Sequence, residues 1–496
     1  MNIEKIKTLG DLKKSGYKSK TVKEELRDNL ISAIREKKNY FEEIKGYDET
    51  VLPQLQHAIL SKHNIILLGL RGQAKTRVAR LMVNLLDEFI PVVEGSELND
   101  DPLHPISRQA KDLISEMKDV TPITWMHRDD RYTEKLATPD VSVADLIGDV
   151  DPIKAATLKL AYADERVIHY GLIPRSHRCI FVINELPDLQ ARIQVALFNI
   201  LQEGDVQVRG YKMRLPLDIQ FVFTANPEDY TNRGSIVTPL KDRIGSQILT
   251  HYPKSVEISE AITQQEAKIA DTQKENIVIP KLLRELIEQI AIEARDSDWI
   301  DKKSGVSARL TISALENLYS VVERRLLLTG ETTGSARVSD IYGIVSSITG
   351  KVELVYEGEL EGMSSVAQQL IGKAIRTLFL KYFPNPEKTK KSKQQPNPFA
   401  AIINWFNEGN AVDVVAVTPN PQFEKEIVRV AGLNELIKKL FPEIPIAIGR
   451  DEQMLMMEFC LHGLAEYSQL SKQRIENNFQ FKDLLGNMFS FSAEAN

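Results

Sequence analysis

Gly69-Leu70-Arg71-Gly72-Gln73-Ala74-Lys75-Thr76, fed by the apolar run Ile65-Ile66-Leu67-Leu68, has the residue types that hold a phosphate chain. Gly69 and Gly72 let backbone N–H groups wrap an anion, Lys75 reaches the outer phosphates, and the Thr76 hydroxyl is a hard oxygen ligand for Mg2+. Val78, Leu81, Met82 and Leu85 follow at helical spacing, which predicts a helix with its N-terminal N–H groups facing the phosphates. The loop departs from G-x-x-x-x-G-K-[ST] at one letter, because Ala74 stands where the second glycine belongs.

Two further buried runs end in polar groups suited to the same chemistry. Ile180-Phe181-Val182-Ile183 leads to Asn184-Glu185, and Ile219-Gln220-Phe221-Val222-Phe223-Thr224 leads to Ala225-Asn226-Pro227. In open α/β folds ligands bind at the carboxyl ends of parallel strands. There Asn184 is placed to steady Mg2+ through its water shell, Glu185 to polarise an attacking water, and Asn226 to hold that water or sense the terminal phosphate. Taken singly, an Asn-Glu pair after a strand is also an acidic helix start, and an Asn before Pro an ordinary turn residue.

The elements that must position these groups are readable around them. Thr21-Val22-Lys23-Glu24 matches a capping box, and Val22, Leu26, Leu30 and Ile34 predict an amphipathic helix continuing to about Ile44. A second helical pattern runs from Gly46-Tyr47-Asp48 to Leu60 and enters the phosphate loop, where it can flank a nucleotide base. Residues 89–93 read as a strand and 94–118 as a long polar insertion. Leu189, Ile193, Ala196, Leu197 and Ile200 mark a helix ending near Gly204, and residues 205–215 alternate about a glycine turn as a β-hairpin. Beyond Pro253 the pattern turns helical, with strong helices at 282–294 and 312–328. Ala308-Arg309 precedes the second, where a basic residue opposes the helix dipole unless an anion is near.

At 496 residues, two to four domains are expected. Sixty-three Lys+Arg against 69 Asp+Glu give a net charge of -6, which offers no basic footprint for nucleic acid or an anionic membrane. Cys179 and Cys460 alone cannot build a disulfide framework or a zinc site, and no apolar run reaches the length of a membrane span. A cytoplasmic, soluble protein is expected. Residues 384–398, rich in Pro, Lys and Gln, read as a linker. A mostly helical segment follows, with a short strand at 412–417.

The order of these elements resembles an AAA+ ATPase and, within that superfamily, the magnesium chelatase I subunit and MoxR-like proteins. Gly72-Gln73-Ala74-Lys75-Thr76, Asp145-Leu146-Ile147-Gly148 through Gly171-Leu172-Ile173-Pro174, and the hairpin before Thr224-Ala225-Asn226-Pro227 carry the resemblance, over about residues 47–347. It implies a parallel-sheet P-loop core with helix-2 and hairpin inserts, residues 150–169 forming the former, then a helical lid and a mostly helical C-terminal domain. The domains expected are 1–46 (N-terminal helical segment), 47–253 (AAA+ core), 254–383 (lid), 384–398 (linker) and 399–496 (C-terminal domain).

The resemblance further implies ATP and Mg2+ as cofactors and a nucleotide loop of Gly69, Gly72, Gln73, Ala74, Lys75 and Thr76. Glu185 takes the place of the Walker B glutamate, Asn226 of sensor 1, Arg309 of sensor 2, and Arg243 in Asp242-Arg243-Ile244 of an arginine finger that acts on a neighbour's nucleotide. Such a finger implies a ring, usually a hexamer of the same chain, and the family's usual partner carries a von Willebrand factor A domain. Asn184 departs from the pattern, standing at the Walker B aspartate position; it brings no charge, so metal affinity and turnover are expected to be lower. The competing functions are a nucleotide-gated scaffold with little hydrolysis, a magnesium-chelatase motor proper, and a nucleic-acid motor using Arg209, Lys212 and Arg214 of the hairpin.

Overall fold

A computed structural model describes residues 3–161, 164–206, 214–227, 236–391, 397–442, 449–475 and 478–484. The chain divides into two compact units, Met1–Tyr252 and Pro253–Asn496.

In the first unit, a five-stranded parallel sheet carries everything else. Its strands are β1 (Ile65–Leu68), β4 (Tyr132–Leu136), β7 (Cys179–Asn184), β10 (Ile219–Ala225) and β11 (Ser246–Leu249), in the order β11-β1-β10-β7-β4. β1, β7 and β10 are buried along their whole length, which is why they read as unbroken apolar runs. The helices α1 (Val22–Glu36), α2 (Val51–Leu60), α3 (Lys75–Leu81), α4 (Ala191–Glu203) and α5 (Thr238–Asp242) accompany it. One face of the sheet forms a core with α1, α2 and α3, through Leu26, Leu55, Ile65, Leu67 and Val78; the other forms a core with α4, through Phe181, Phe223, Ile193 and Leu197. The strand order together with a phosphate-type loop after β1 is the α/β arrangement expected of an AAA+ P-loop core.

The capping box opens α1 as read, with Thr21 Oγ1 accepting from Glu24 N and Glu24 Oε2 accepting from Thr21 N, each at 3.2 Å. The helix stops at Glu36, short of Ile44, because Lys37 turns left-handed (φ 56°) and closes its C-terminus. Residues 89–93 form a strand, β2 (Phe89–Val93), but it pairs antiparallel with β3 (Ile123–His127) outside the central sheet. The place in the central sheet beside β7 belongs to β4, which the sequence reading passed over. Residues 150–169 run from the end of β5 (Gly148–Val150) into β6 (Ile168–Tyr170), an antiparallel ribbon that returns the chain to β7. The hairpin base is formed by β8 (Asp205–Val206) and β9 (Leu215–Pro216); its tip, with Arg209 and Lys212, lies outside the described residues.

β4 is locked to α1 by a buried ion pair. Arg131, the residue before β4, donates Nη1 and Nη2 to Glu25 Oε1 and Oε2 at 2.6 and 2.7 Å, with the two side chains 1% and 4% exposed. Its Nε and Nη2 also donate to Arg178 O at 3.0 and 2.8 Å, and Glu25 accepts from Asp87 N. Asp218, just ahead of β10, accepts from Val22 N at 2.7 Å and so caps the same helix; burial pushes its carboxyl up to about 6.

The second unit is helical around one apolar core, in which α6 (Lys281–Asp296), α7 (Arg309–Thr329) and α8 (Met363–Tyr382) pack with α9 (Gly449–Glu466). Glu458 on α9 is buried and accepts from Val338 N at 2.6 Å and Ser339 N at 3.0 Å, so segments from both sides of 384–398 are joined. Within 384–398 the structure has a short helix, Pro386–Lys391. The strand expected at 412–417 spans Val412–Val414 and pairs with a C-terminal hairpin strand, Asn478–Lys482, that the sequence reading missed. Among the described residues no helix is long and apolar enough to cross a membrane.

Two outcomes follow. Arg131→Ala leaves the Glu25 carboxylate buried and unpaired, and should destabilise the protein by about 3–5 kcal/mol in urea unfolding. Asp218 has a folded pKa raised above its unfolded value, so its contribution is fully present below about pH 3.8 and is lost as pH rises through about 6. Asp218→Asn should therefore gain stability relative to wild type as pH rises from 4 to 7, measured as the difference in Tm.

Candidate nucleotide site

The loop after β1 is built from the backbone outward. Gly69 N donates to Ala225 O at 3.1 Å, fixing the loop's start to the end of β10. A Cβ on Gly69 would lie 1.9 Å from Thr250 Oγ1 and 2.1 Å from Gln73 Oε1, two atoms joined by a 2.7 Å hydrogen bond, so only glycine fits. Thr250 Oγ1 also lies 3.1 Å from Leu68 O. Gly72 takes φ 73° and Ala74 φ 54°, both left-handed. The loop thus keeps, at Ala74, a conformation in which an L side chain is strained by roughly 1–2 kcal/mol.

Lys75 is buried, and its ammonium donates to Leu70 O at 3.1 Å and to Gly69 O. Tyr47 holds the loop from outside. Its hydroxyl lies 2.9 Å from both Gln73 O and His251 O, its ring meets that of His251 edge-on at 5.1 Å, and burial pushes its phenol up to about 12, so it stays a donor. Tyr252 OH donates to Arg71 O at 3.1 Å.

The strand ends meet beside this loop. Register pairs Leu68 with Ala225 and with Leu249, Phe223 with Ile183, and Leu136 with Asn184. Gly69, Asn184, Glu185, Asn226 and Thr250 therefore sit along one carboxyl edge. Thr76 Oγ1 donates to Asn184 Oδ1 at 3.3 Å, and Thr224 Oγ1 donates to the same oxygen at 3.0 Å while accepting from Glu185 N at 3.2 Å. Glu185 has a left-handed backbone (φ 53°, ψ 52°), a strained conformation of the kind found at functional positions. Asn226 is 3% exposed.

Sequence reasoning missed Glu134, on β4. Its Oε1 accepts from Asn184 Nδ2 at 2.5 Å; its Oε2 accepts from Arg80 Nη2 at 2.8 Å and Nε at 3.0 Å, and from Tyr132 OH at 3.0 Å. Thr224 was likewise passed over, hidden inside an apolar strand. The only sequence signal for Glu134 is a charge inside the weakly alternating Tyr132-Thr133-Glu134-Lys135-Leu136, which any surface strand also shows.

Arg243 is held by residues outside this cluster. Arg243 caps α5, donating Nε to Gln202 Oε1 at 3.0 Å and Nη1 to Pro239 O at 2.7 Å, with its guanidinium 5.1 Å from the Phe198 ring centroid. Arg309 is exposed at the first residue of α7, in the second unit.

The donors suit Mg2+ and phosphate. Thr76, Asn184 and Glu134 present hard oxygens and few charges, which fits an ion that keeps several waters and is completed by phosphates. No group of three or more His, Cys, Asp or Glu able to hold a metal occurs among the described residues.

No family model matches the chain. Solved structures similar to it include a putative ATPase from Cytophaga hutchinsonii, at 17% identity over 74% of this chain and 98% of that one, TM-score 0.30. The complex of magnesium chelatase subunits BchI and BchD is similar at 19% identity over 64% and 98%, TM-score 0.34, and the RuvB Holliday junction branch migration motor of Thermotoga maritima at 12% over 74% and 77%, TM-score 0.32. Low in identity and TM-score, these neighbours add no residue roles; the fold stands on the sheet order and the loop.

Ala74→Gly should relieve the left-handed strain and, after the entropy glycine adds to the unfolded chain, raise stability by roughly 0.5–1 kcal/mol. An unchanged or lower urea midpoint would contradict that reading of the loop.

Proposed function

We propose that this chain is a Mg2+-dependent ATPase that works as a ring of identical subunits, a hexamer, and uses nucleotide turnover to remodel a partner protein carrying a von Willebrand factor A domain. The supporting observation is the convergence, on one sheet edge, of a glycine loop, a buried lysine, a threonine bonded to Asn184, and the Glu185 and Asn226 strand ends. The partner and the ring come from the family resemblance.

In this reading backbone N–H groups of residues 69–76 and the Lys75 ammonium bind the ATP phosphates, Lys75 exchanging loop carbonyls for phosphate oxygens. Thr76 and Asn184 would hold Mg2+, Thr76 through a lone pair left open because its proton is committed to Asn184 Oδ1, and Asn184 through the ion's water shell. Mg2+, when bound, would offset the charge that develops on the transferred group. Glu185 accepts the proton of the attacking water and Asn226 orients that water. Arg243 reaches a neighbour's nucleotide after exchanging Gln202 and Pro239 for phosphate oxygens, and Arg309 reports the nucleotide state to the helical unit.

The same site with turnover suppressed would be a nucleotide-gated scaffold, and Asn184 is the feature that favours it. Steady-state ATP turnover of the full chain with Mg2+, across a protein concentration series, separates them. The expected result is specific activity that rises with concentration and falls on the order of 100-fold or more in Glu185→Gln, which still binds nucleotide. Arg243→Ala should be inactive alone and partly active when mixed with Glu185→Gln, since each would supply what the other lacks. Wild-type protein that binds ATP and never hydrolyses it would leave the scaffold.

A further inference from the structure

The carboxylate missing from position 184 has a counterpart on the next strand. We propose that Glu134 is a positioning residue of the Mg2+ subsite, which supplies from β4 the negative charge that Asn184 lacks and fixes the Asn184 amide. The inference rests on the nucleotide-binding reading above.

An asparagine amide has two orientations, and the groups around it decide between them. Thr224 Oγ1 accepts from Glu185 N at 3.2 Å, so its own proton is available for Asn184, 3.0 Å away. Thr76 lies on the same side at 3.3 Å. Hydroxyls alone would accept either orientation, because they can donate or accept. Glu134 cannot: an ionised carboxylate only accepts, and its Oε1 is 2.5 Å from the amide. It therefore requires Nδ2 on its side and turns Oδ1 toward Thr76. Arg80 and Tyr132 hold the other carboxylate oxygen, so Glu134 is itself fixed.

The bonds form one directed chain. Glu185 N–H donates to Thr224, Thr224 and Thr76 donate to Asn184, and Asn184 donates to Glu134. Each donor is polarised toward the carboxylate, which strengthens Oδ1 as an acceptor and leaves a more basic Thr76 oxygen for the metal. Glu134 is 22% exposed, so its charge is only partly screened, and Arg80, 64% exposed, offsets only part of it.

This arrangement makes a specific forecast about charge placement. Asn184→Asp alone would set two carboxylates at hydrogen-bond distance, where they must share a proton, so it should not improve on wild type. Glu134→Gln is isosteric but uncharged and no longer dictates the amide's orientation. The double variant Glu134→Gln/Asn184→Asp exchanges donor and acceptor and places one carboxylate at the Walker B position.

The test is binding of a fluorescent ATP analogue to full-length protein, in Mg2+ and in EDTA, alongside thermal melts of the nucleotide-free variants. Expected are an about tenfold loss of the Mg2+-dependent gain in affinity in Glu134→Gln, corresponding to one charge-assisted hydrogen bond, no change in EDTA, and recovery in the double variant. A purely structural role would lower affinity equally in Mg2+ and EDTA and would not be rescued. A Mg2+ gain in Glu134→Gln equal to wild type, or a gain in Asn184→Asp alone that the double variant does not exceed, overturns the proposal. Lys75→Ala serves as the reference: binding at wild-type affinity there would remove the nucleotide-site reading itself, whereas loss there with an indifferent Glu134→Gln removes only this inference.

Discussion

The hydrogen-bond register of the central parallel sheet is the constraint on which the site depends. Parallel pairing sets Leu68 level with both Ala225 and Leu249, and Leu136 level with Asn184, so residues far apart in sequence reach the same edge together. A slip of one residue in β7 would turn Asn184 to the other face and take Glu185 away from Thr224. The loop obeys the same constraint. Gly69 is tied to β10 through Ala225 O, and Thr250, the residue after β11, reaches back to Gln73 within it. Five strands therefore specify a site that no single strand contains.

That register needs its edge strand held, and the buried Arg131–Glu25 pair does so. β4 is the outermost strand of the sheet and its side chains are only half-buried, so little apolar burial secures it. Arg131 sits at its first turn into the sheet and reaches α1 through two short bonds, while its remaining donors bind Arg178 O ahead of β7. The helix α1 is thus part of the core of the first unit. Its position is transmitted, through one guanidinium, to the strand that carries Glu134.

What was legible in the sequence follows burial. β1, β7 and β10 are buried on both faces, so composition alone exposes them, and the loop, Asn184, Glu185 and Asn226 could be placed at strand ends because they follow those runs. β4 carries the charged pair Glu134-Lys135 and packs on one side only, so it offers neither an apolar run nor clean alternation. The C-terminal hairpin escaped for the same reason, with Lys472, Gln473 and Arg474 occupying strand positions. The left-handed turns at Ala74 and Glu185 were invisible as well, since neither residue type signals a positive φ.

A motif read letter by letter treats position 184 as a loss, whereas in the sheet Asn184 has a diagonal neighbour on the next strand, since Leu136 is level with Asn184 and Glu134 with Val182. Diagonal neighbours on adjacent strands lie about 7–8 Å apart, a span that the glutamate and asparagine side chains close together, so a carboxylate can move one strand over and still act on the same threonine through the intervening amide. The displaced arrangement differs in one physical respect. The charge reaches Thr76 through a polarised amide instead of directly, which keeps the hydrogen-bond geometry at Thr76 while weakening the field there. A metal subsite of this form would depend more heavily on the phosphates to complete it, and so would couple Mg2+ to nucleotide more tightly than a direct carboxylate does.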